Sequence, residues 1–124
     1  MMRLSKRDDK GFTMIELMVV IAVIGILSVI AILQFSKYRQ SSFDSAVETD
    51  MRNAATAQEA YFSEQQAYCN AIGVLTASDY GLAISDGVNL QVASTTANGY
   101  TIIAYHSSGN TTFTLAGPGG SIQP

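Results

Sequence analysis

Seventeen consecutive residues, Leu17 to Leu33, carry no charge, and only Gly25 and Ser28 interrupt their large or aliphatic side chains. A run of that length reaches the lower limit for crossing a hydrocarbon core as a helix. Arg3, Lys6, Arg7 and Lys10 lie upstream, with Asp8 and Asp9 among them. That basic excess predicts a cytoplasmic N-terminus and an outward-directed remainder. A secretory signal peptide shares this layout. Two features oppose that reading. The run is longer than a normal signal core and has no clear A-x-A site after it, and a carboxylate, Glu16, stands at its start.

The run also explains the composition. Of 124 residues, 48% are hydrophobic and 14% charged, and the apolar excess sits in this one block. The length predicts one domain. A net charge of −3 opposes a nucleic-acid-binding surface, which needs a basic face. Cys69 is the single cysteine, so there is no intrachain disulfide and no Cys/His cluster to hold zinc. From Asn70 onward there is no Lys or Arg, and the only acids are Asp79 and Asp86.

Glu16 is the most informative residue. An acid at the centre of a membrane helix costs about 2.5–3.5 kcal/mol, and less toward its ends. No base lies within the apolar segment, and the nearest downstream is Lys37. A partner on another chain is one reading. The other is a helix-start acid favoured by the macrodipole. Both can hold together.

The stretch Lys10-Gly11-Phe12-Thr13-Met14-Ile15-Glu16-Leu17, with the aliphatic run after it, resembles the prepilin processing motif. That motif belongs to type IV pilins and type II secretion pseudopilins. The resemblance covers a basic leader, a cleavage glycine, a phenylalanine, a spaced acid and the apolar helix. It implies that a prepilin peptidase cuts between Gly11 and Phe12 and methylates the new Phe12 amine. It also implies that Glu16 pairs with the N-terminus of a neighbouring subunit during assembly. Only the leader would then be removed, and the apolar helix would stay. Many type IV pilins have proline where this chain has Leu33. A proline-dependent break is therefore not expected there, and Gly25 is left as the helix weak point, roughly 1 kcal/mol less favourable than Ala.

Helical periodicity continues past the membrane block. Val47, Met51, Ala54, Ala57 and Tyr61 recur at helical steps and mark one apolar face. Glu48 and Arg52 stand in the favourable i, i+4 order. No proline occurs from Phe12 to Ala67, and the only glycine is Gly25. One helix over this span, about 84 Å long at 1.5 Å per residue, cannot be buried in its own chain. Beyond Cys69 the pattern becomes a loop as far as Gly87. Val88 to Ala93, Tyr100 to His106 and Thr111 to Ala116 then read as antiparallel strands. The turns between them are Thr95 to Gly99 and Ser107 to Asn110, and Gly117 to Gly120 closes the fold.

Other residues invite rival readings. Cys69 reads as a packed or loop thiol, because no base stands beside it. His106, the only histidine, reads as a surface polar residue at a strand end. The aromatics Phe12, Phe35, Tyr38, Phe43, Phe62 and Tyr68 read as helix–helix packing groups.

The expectation is an α+β chain with the pilin fold: one helix over about 12–67, its C-terminal half packed on a small meander of about three strands. Residues 1–11 would be the cleaved leader, 12–37 the transmembrane and filament-core half, 38–68 the amphipathic half, and 69–124 the loop and β region. By resemblance the chain is a structural subunit of a type IV pilus. It would be held in the inner membrane with its N-terminus cytoplasmic, then polymerised into a surface filament. The implied partners are identical or related pilin subunits, the prepilin peptidase, the pilus assembly machinery and inner-membrane lipid. No catalytic residue, cofactor, metal or nucleic-acid partner is expected. The alternative is a pseudopilin acting as a periplasmic piston. The absence of any Asp-Pro pair lowers its major form but not a minor one. A membrane-anchored enzymatic or binding domain would need a catalytic cluster in 69–124, and none is readable.

Overall fold

The structure is a computed structural model that describes residues 10–124. Most of the leader, with Arg3, Lys6 and Arg7, lies outside the described residues. The elements in chain order are α1 (Met14–Gln65), α2 (Ile72–Leu75), β1 (Val88–Thr96), β2 (Gly99–His106), β3 (Thr112–Gly117) and β4 (Ile122–Gln123). The chain divides within α1 into two compact units, one ending at Ser36 and the other spanning Lys37–Pro124.

Helix α1 runs uninterrupted for 52 residues, through both Gly25 and Leu33. It starts and ends two residues inside the expected limits, and local chemistry sets both ends. At the start, Glu16 N donates to Thr13 Oγ1 at 3.2 Å, and Thr13 N donates back to Glu16 Oε2 at 2.8 Å. This reciprocal pair is a capping box. At the other end, Gln66 adopts a left-handed φ of 57°. Its N–H donates to Phe62 O at 2.8 Å, closing the last turn. A left-handed residue at this position is the usual stop for a helix, although glycine normally fills it.

In the second unit, Val47, Met51, Ala54 and Ala57 form the buried stripe of α1. They share one core with Leu90, Tyr100, Ile102, Ala104, Phe113 and Leu115 of the sheet, and with Cys69, Leu75 and Leu82 of the connection. Tyr61, the last residue of the expected face, is half-buried against that core.

The sheet is antiparallel, in the order β1-β2-β3-β4. It has one strand more than expected. β4 is only two residues long, too short to show an alternating pattern, and Gly117 to Gly120 leads into it rather than closing the fold. A Cβ on Gly120 would collide with the backbone carbonyl of Ala116, so the turn into β4 demands glycine there. The region between Cys69 and Gly87, expected as a loop with small turns, holds the single helical turn α2. β1 runs on to Thr96, so the first hairpin turn is only Ala97-Asn98. Val92 pairs with Ile102 and Ser94 with Thr101, leaving Ala93 as a bulge. The extra residue resets the two-residue alternation. The inward positions change from Leu90 and Val92 to Thr95.

Candidate functional site

Lys10, Gly11, Phe12 and Thr13 precede α1, and all are exposed. Phe12 is 92% exposed. A Cβ built on Gly11 would meet nothing within 4 Å, and Gly11 has no left-handed φ. Among the described residues, therefore, nothing requires glycine at position 11. Gly25 is the same: its surroundings within the chain are open, and α1 continues through it.

Glu16 lies in the first turn of α1. Its carboxylate accepts the Thr13 N–H through one oxygen, and among the described residues nothing donates to the other. The helix-start reading of this acid is thus realised, and one carboxylate oxygen is left over. Thr13 completes the arrangement. It was legible as a Thr-x-x-Glu pair ahead of an apolar run. Downstream, the side chains from Met14 to Phe35 all face outward from the helix, among them Ile21 at 61%, Ile26 at 65% and Leu33 at 63% exposure. Among the described residues, α1 is the one helix long and apolar enough to cross a membrane.

In the second unit, two buried polar side chains were missed. Asp50 and Gln58 sit on the same face of α1 as the core stripe, eight positions apart. Asp50 Oδ2 accepts Ser85 N at 2.7 Å, and Oδ1 accepts Ser85 Oγ at 3.0 Å. Gln58 Nε2 donates to Cys69 O at 2.7 Å, and Gln58 Oε1 accepts Cys69 N at 2.9 Å. The two residues fasten both ends of the connection between α1 and β1. Polar residues interleaved with an apolar stripe were the available signal.

The position of His106 corrects the expectation of a surface residue. It is only 8% exposed, and its ring stacks on Phe43 at 4.2 Å. Counting by twos from Tyr100 through Ile102 and Ala104 puts His106 on the inward face of β2, which is the physical reason. Its Nδ1 accepts Ser108 N at 3.0 Å. Asp44 instead accepts Thr111 Oγ1 at 3.3 Å. Among the described residues, the histidine and this acid do not combine into a Ser/His/Asp arrangement. Cys69 is a buried thiol that donates to Ala71 O at 3.1 Å.

The aromatics divide in a way that modifies the helix-packing expectation. Phe12, Phe35 and Tyr38 are exposed. Phe43 stacks on His106, and Phe62 stacks on Tyr68 at 4.6 Å, which in turn meets Tyr100 at 4.9 Å. Burial, with the Glu59 carboxylate and Tyr68 as smaller causes, pushes the Tyr100 phenol up to about 12. Tyr80 is also raised, chiefly by its 2.8 Å hydrogen bond to Glu64 Oε2.

Comparison with known proteins bears on the N-terminal arrangement first. Residues 6–32 match the family described as the prokaryotic N-terminal methylation motif. The chain is 45% identical over 69 residues to the type IV major pilin protein PilA of Myxococcus xanthus, covering 54% of this chain and 31% of that protein. It is 50% identical over 54 residues to the type IV major fimbrial protein FimA of Dichelobacter nodosus, covering 44% and 35%. These two matches span only about a third of those relatives' lengths. The type IV wide pilus major component PilA4 of Thermus thermophilus is 34% identical over 108 residues, covering 86% of this chain and 81% of that protein. A match of that length extends beyond the helix into the sheet.

Proposed function

The chain belongs to the type IV pilin family, and from that membership we propose that it is processed, stored in the inner membrane and polymerised into a surface pilus as its structural subunit. The observation that carries this reading is the continuous exposed apolar surface from Met14 to Phe35, headed by Glu16 and preceded by an open Gly11-Phe12 bond.

An apolar helix with no covering inside its own unit is stable in lipid or against similar helices, because either removes its side chains from water. Cleavage between Gly11 and Phe12 frees an amine four residues before Glu16. Methylation of that Phe12 amine retains its charge. A neighbour's amine then neutralises Glu16 as the helix leaves lipid for the filament core. The unused carboxylate oxygen is the acceptor available to it. Among the described residues nothing obstructs a Cβ at position 11, so the need for glycine is assigned to the prepilin peptidase. Gly25, with open surroundings, serves as the point of lowest helix propensity within the apolar stretch.

Mass spectrometry of the mature chain tests the processing step. The expected N-terminus is a methylated Phe12, and Gly11→Leu is expected to leave the leader attached. A mature Gly11→Leu chain that still begins at Phe12 would overturn that step. Electron microscopy of filaments sheared from cells tests the destination. Filaments containing this chain support a pilus. A correctly processed chain confined to the cell envelope would favour the piston reading instead.

A further inference from the structure

From Gly87 to Pro124 the chain contains no Asp, Glu, Lys or Arg, and this stretch builds all four strands. Soluble surfaces commonly carry about 25–35% charged residues, so a solvent-facing sheet with none needs a reason. Alternation turns Leu90, Ala104 and Phe113 into the core. Their neighbours in sequence form the opposite face. Register places Asn89, Tyr105 and Thr112 in one row across it, and Gln91, Ile103, Thr114 and Gln123 in the next. Asn89, Gln91, Thr112 and Gln123 are exposed, and Tyr105 is 43% exposed.

Where these rows reach β1, Asn89, Leu90, Gln91 and Tyr105 line a recess of about 160 Å³, and no charged side chain lines it. β1 pairs with β2 alone, so the recess lies at an open border of the sheet. The side-chain hydrogen bonds of the strands and their turns belong to Thr96, His106, Thr111 and Gln123. Among the described residues, Asn89, Gln91 and Tyr105 take part in none of them. Two amides and a phenol therefore keep their hydrogen-bonding groups for a partner outside the chain. An amide and a phenol each donate and accept, whereas a carboxylate only accepts and an ammonium only donates.

We propose that this recess binds a neutral polysaccharide, with a sugar ring stacked on Tyr105 and its hydroxyls bonded to Asn89 and Gln91. A hydroxyl both donates and accepts, as these partners do, and the C–H face of a sugar ring suits the negative face of an aromatic ring. The absence of charge selects against other ligands. Nucleic acids and anionic lipids bind through Lys and Arg, and the strands supply neither. A second copy of the chain is the other occupant of an uncharged face. Protein interfaces, however, have an apolar centre, and the outward positions here are mainly amides and hydroxyls. The recess is smaller than the roughly 300–1,000 Å³ of a drug-sized pocket, which fits one sugar and a weak contact. The site needs only the second unit and does not depend on the pilus reading. In a filament, repeated copies along one polysaccharide would add avidity.

Nuclear magnetic resonance of the isotope-labelled full-length chain in a sugar-free detergent tests the site. The probes are cellohexaose, maltohexaose and mannohexaose, with an oligogalacturonate as the charged control. At least one neutral oligomer is expected to shift the side-chain amide signals of Asn89 and Gln91, equally in dilute buffer and at about 1 M salt. Tyr105→Ala is expected to weaken binding about tenfold, and Asn89→Ala about fivefold. Tyr105→Phe keeps the ring and is expected to retain most of the binding, which separates lost stacking from a folding defect. No shift with any neutral oligomer, an equal response to the oligogalacturonate, or undiminished binding by Tyr105→Ala overturns the proposal. Amide signals that shift with protein concentration and ignore sugar would assign the face to a second copy and overturn it too. None of these outcomes bears on whether the chain forms filaments.

Discussion

At the scale of single residues, Glu16 has one observed use and one proposed use, and the two can be separated chemically. Its carboxylate caps α1 through Thr13, a contact worth about 1 kcal/mol. It is also the charge proposed to pair with a neighbour's amine. Glutamine serves equally well in a capping box but cannot neutralise a cation. Glu16→Ala is therefore expected to leave expression and leader cleavage largely intact while abolishing efficient filament growth. Glu16→Gln is expected to fail in the same way. Wild-type filament yield from the glutamine variant would show that the cap alone suffices and would sink the charge pairing. Gln58 makes a different kind of demand. Removing its amide orphans both the N–H and the carbonyl of Cys69 in a buried place. Gln58→Leu is expected to destabilise the chain by about 2 kcal/mol, within the range for an unsatisfied buried group. Denaturant titration of the detergent-solubilised chain measures this, and faster amide exchange at Cys69 should accompany it.

At the scale of elements, the ends of α1 were less legible than its existence. A proline-free stretch with one glycine and continuous helical periodicity admits little besides a helix. Its C-terminal stop, however, depends on Gln66 taking a left-handed conformation that side chains disfavour by about 1–2 kcal/mol. Gln66→Gly is expected to raise stability by about 1 kcal/mol, seen as an upward shift in the thermal midpoint. An unchanged or lowered midpoint would mean that the weak Gln66 side-chain contacts to Phe62 O and Ser63 O contribute more than the backbone strain. The sheet shows what period alone can and cannot do. The three longer strands follow from alternation of β-branched and aromatic residues. The Ala93 bulge does not, because it changes which residues face inward without any change in composition.

At the scale of the whole molecule, pH dependence follows from the tyrosines packed near the end of α1. The ordinary tyrosine value is 10.0, and Tyr100 is held up to about 12 in the folded chain. Folding therefore favours its neutral form. The stabilisation is complete below about pH 10 and is lost as pH rises from there through about 12. Tyr68 and Tyr80 are shifted in the same direction. Denaturation midpoints of the chain and of Tyr100→Phe, measured across that window, should fall with pH in both and more shallowly in the variant. Parallel slopes would show that Tyr100 does not carry the effect.

The long apolar helix and the motif at its head were readable from sequence, and the reason is physical. Their pattern is written in consecutive residues: a Gly11-Phe12 bond proposed for cleavage, an acid at a set distance, and apolar side chains that are exposed throughout. Burial within the chain does not alter their meaning, because none of them is buried. The second unit is different. That Asp50 and Gln58 are structural clamps, that His106 stacks on Phe43, and that two residues near the C-terminus form a fourth strand depends on groups 35, 11, 63 and seven or more positions apart meeting in space. A buried polar group acquires its role from the partner that satisfies it. Only the tertiary structure chooses that partner.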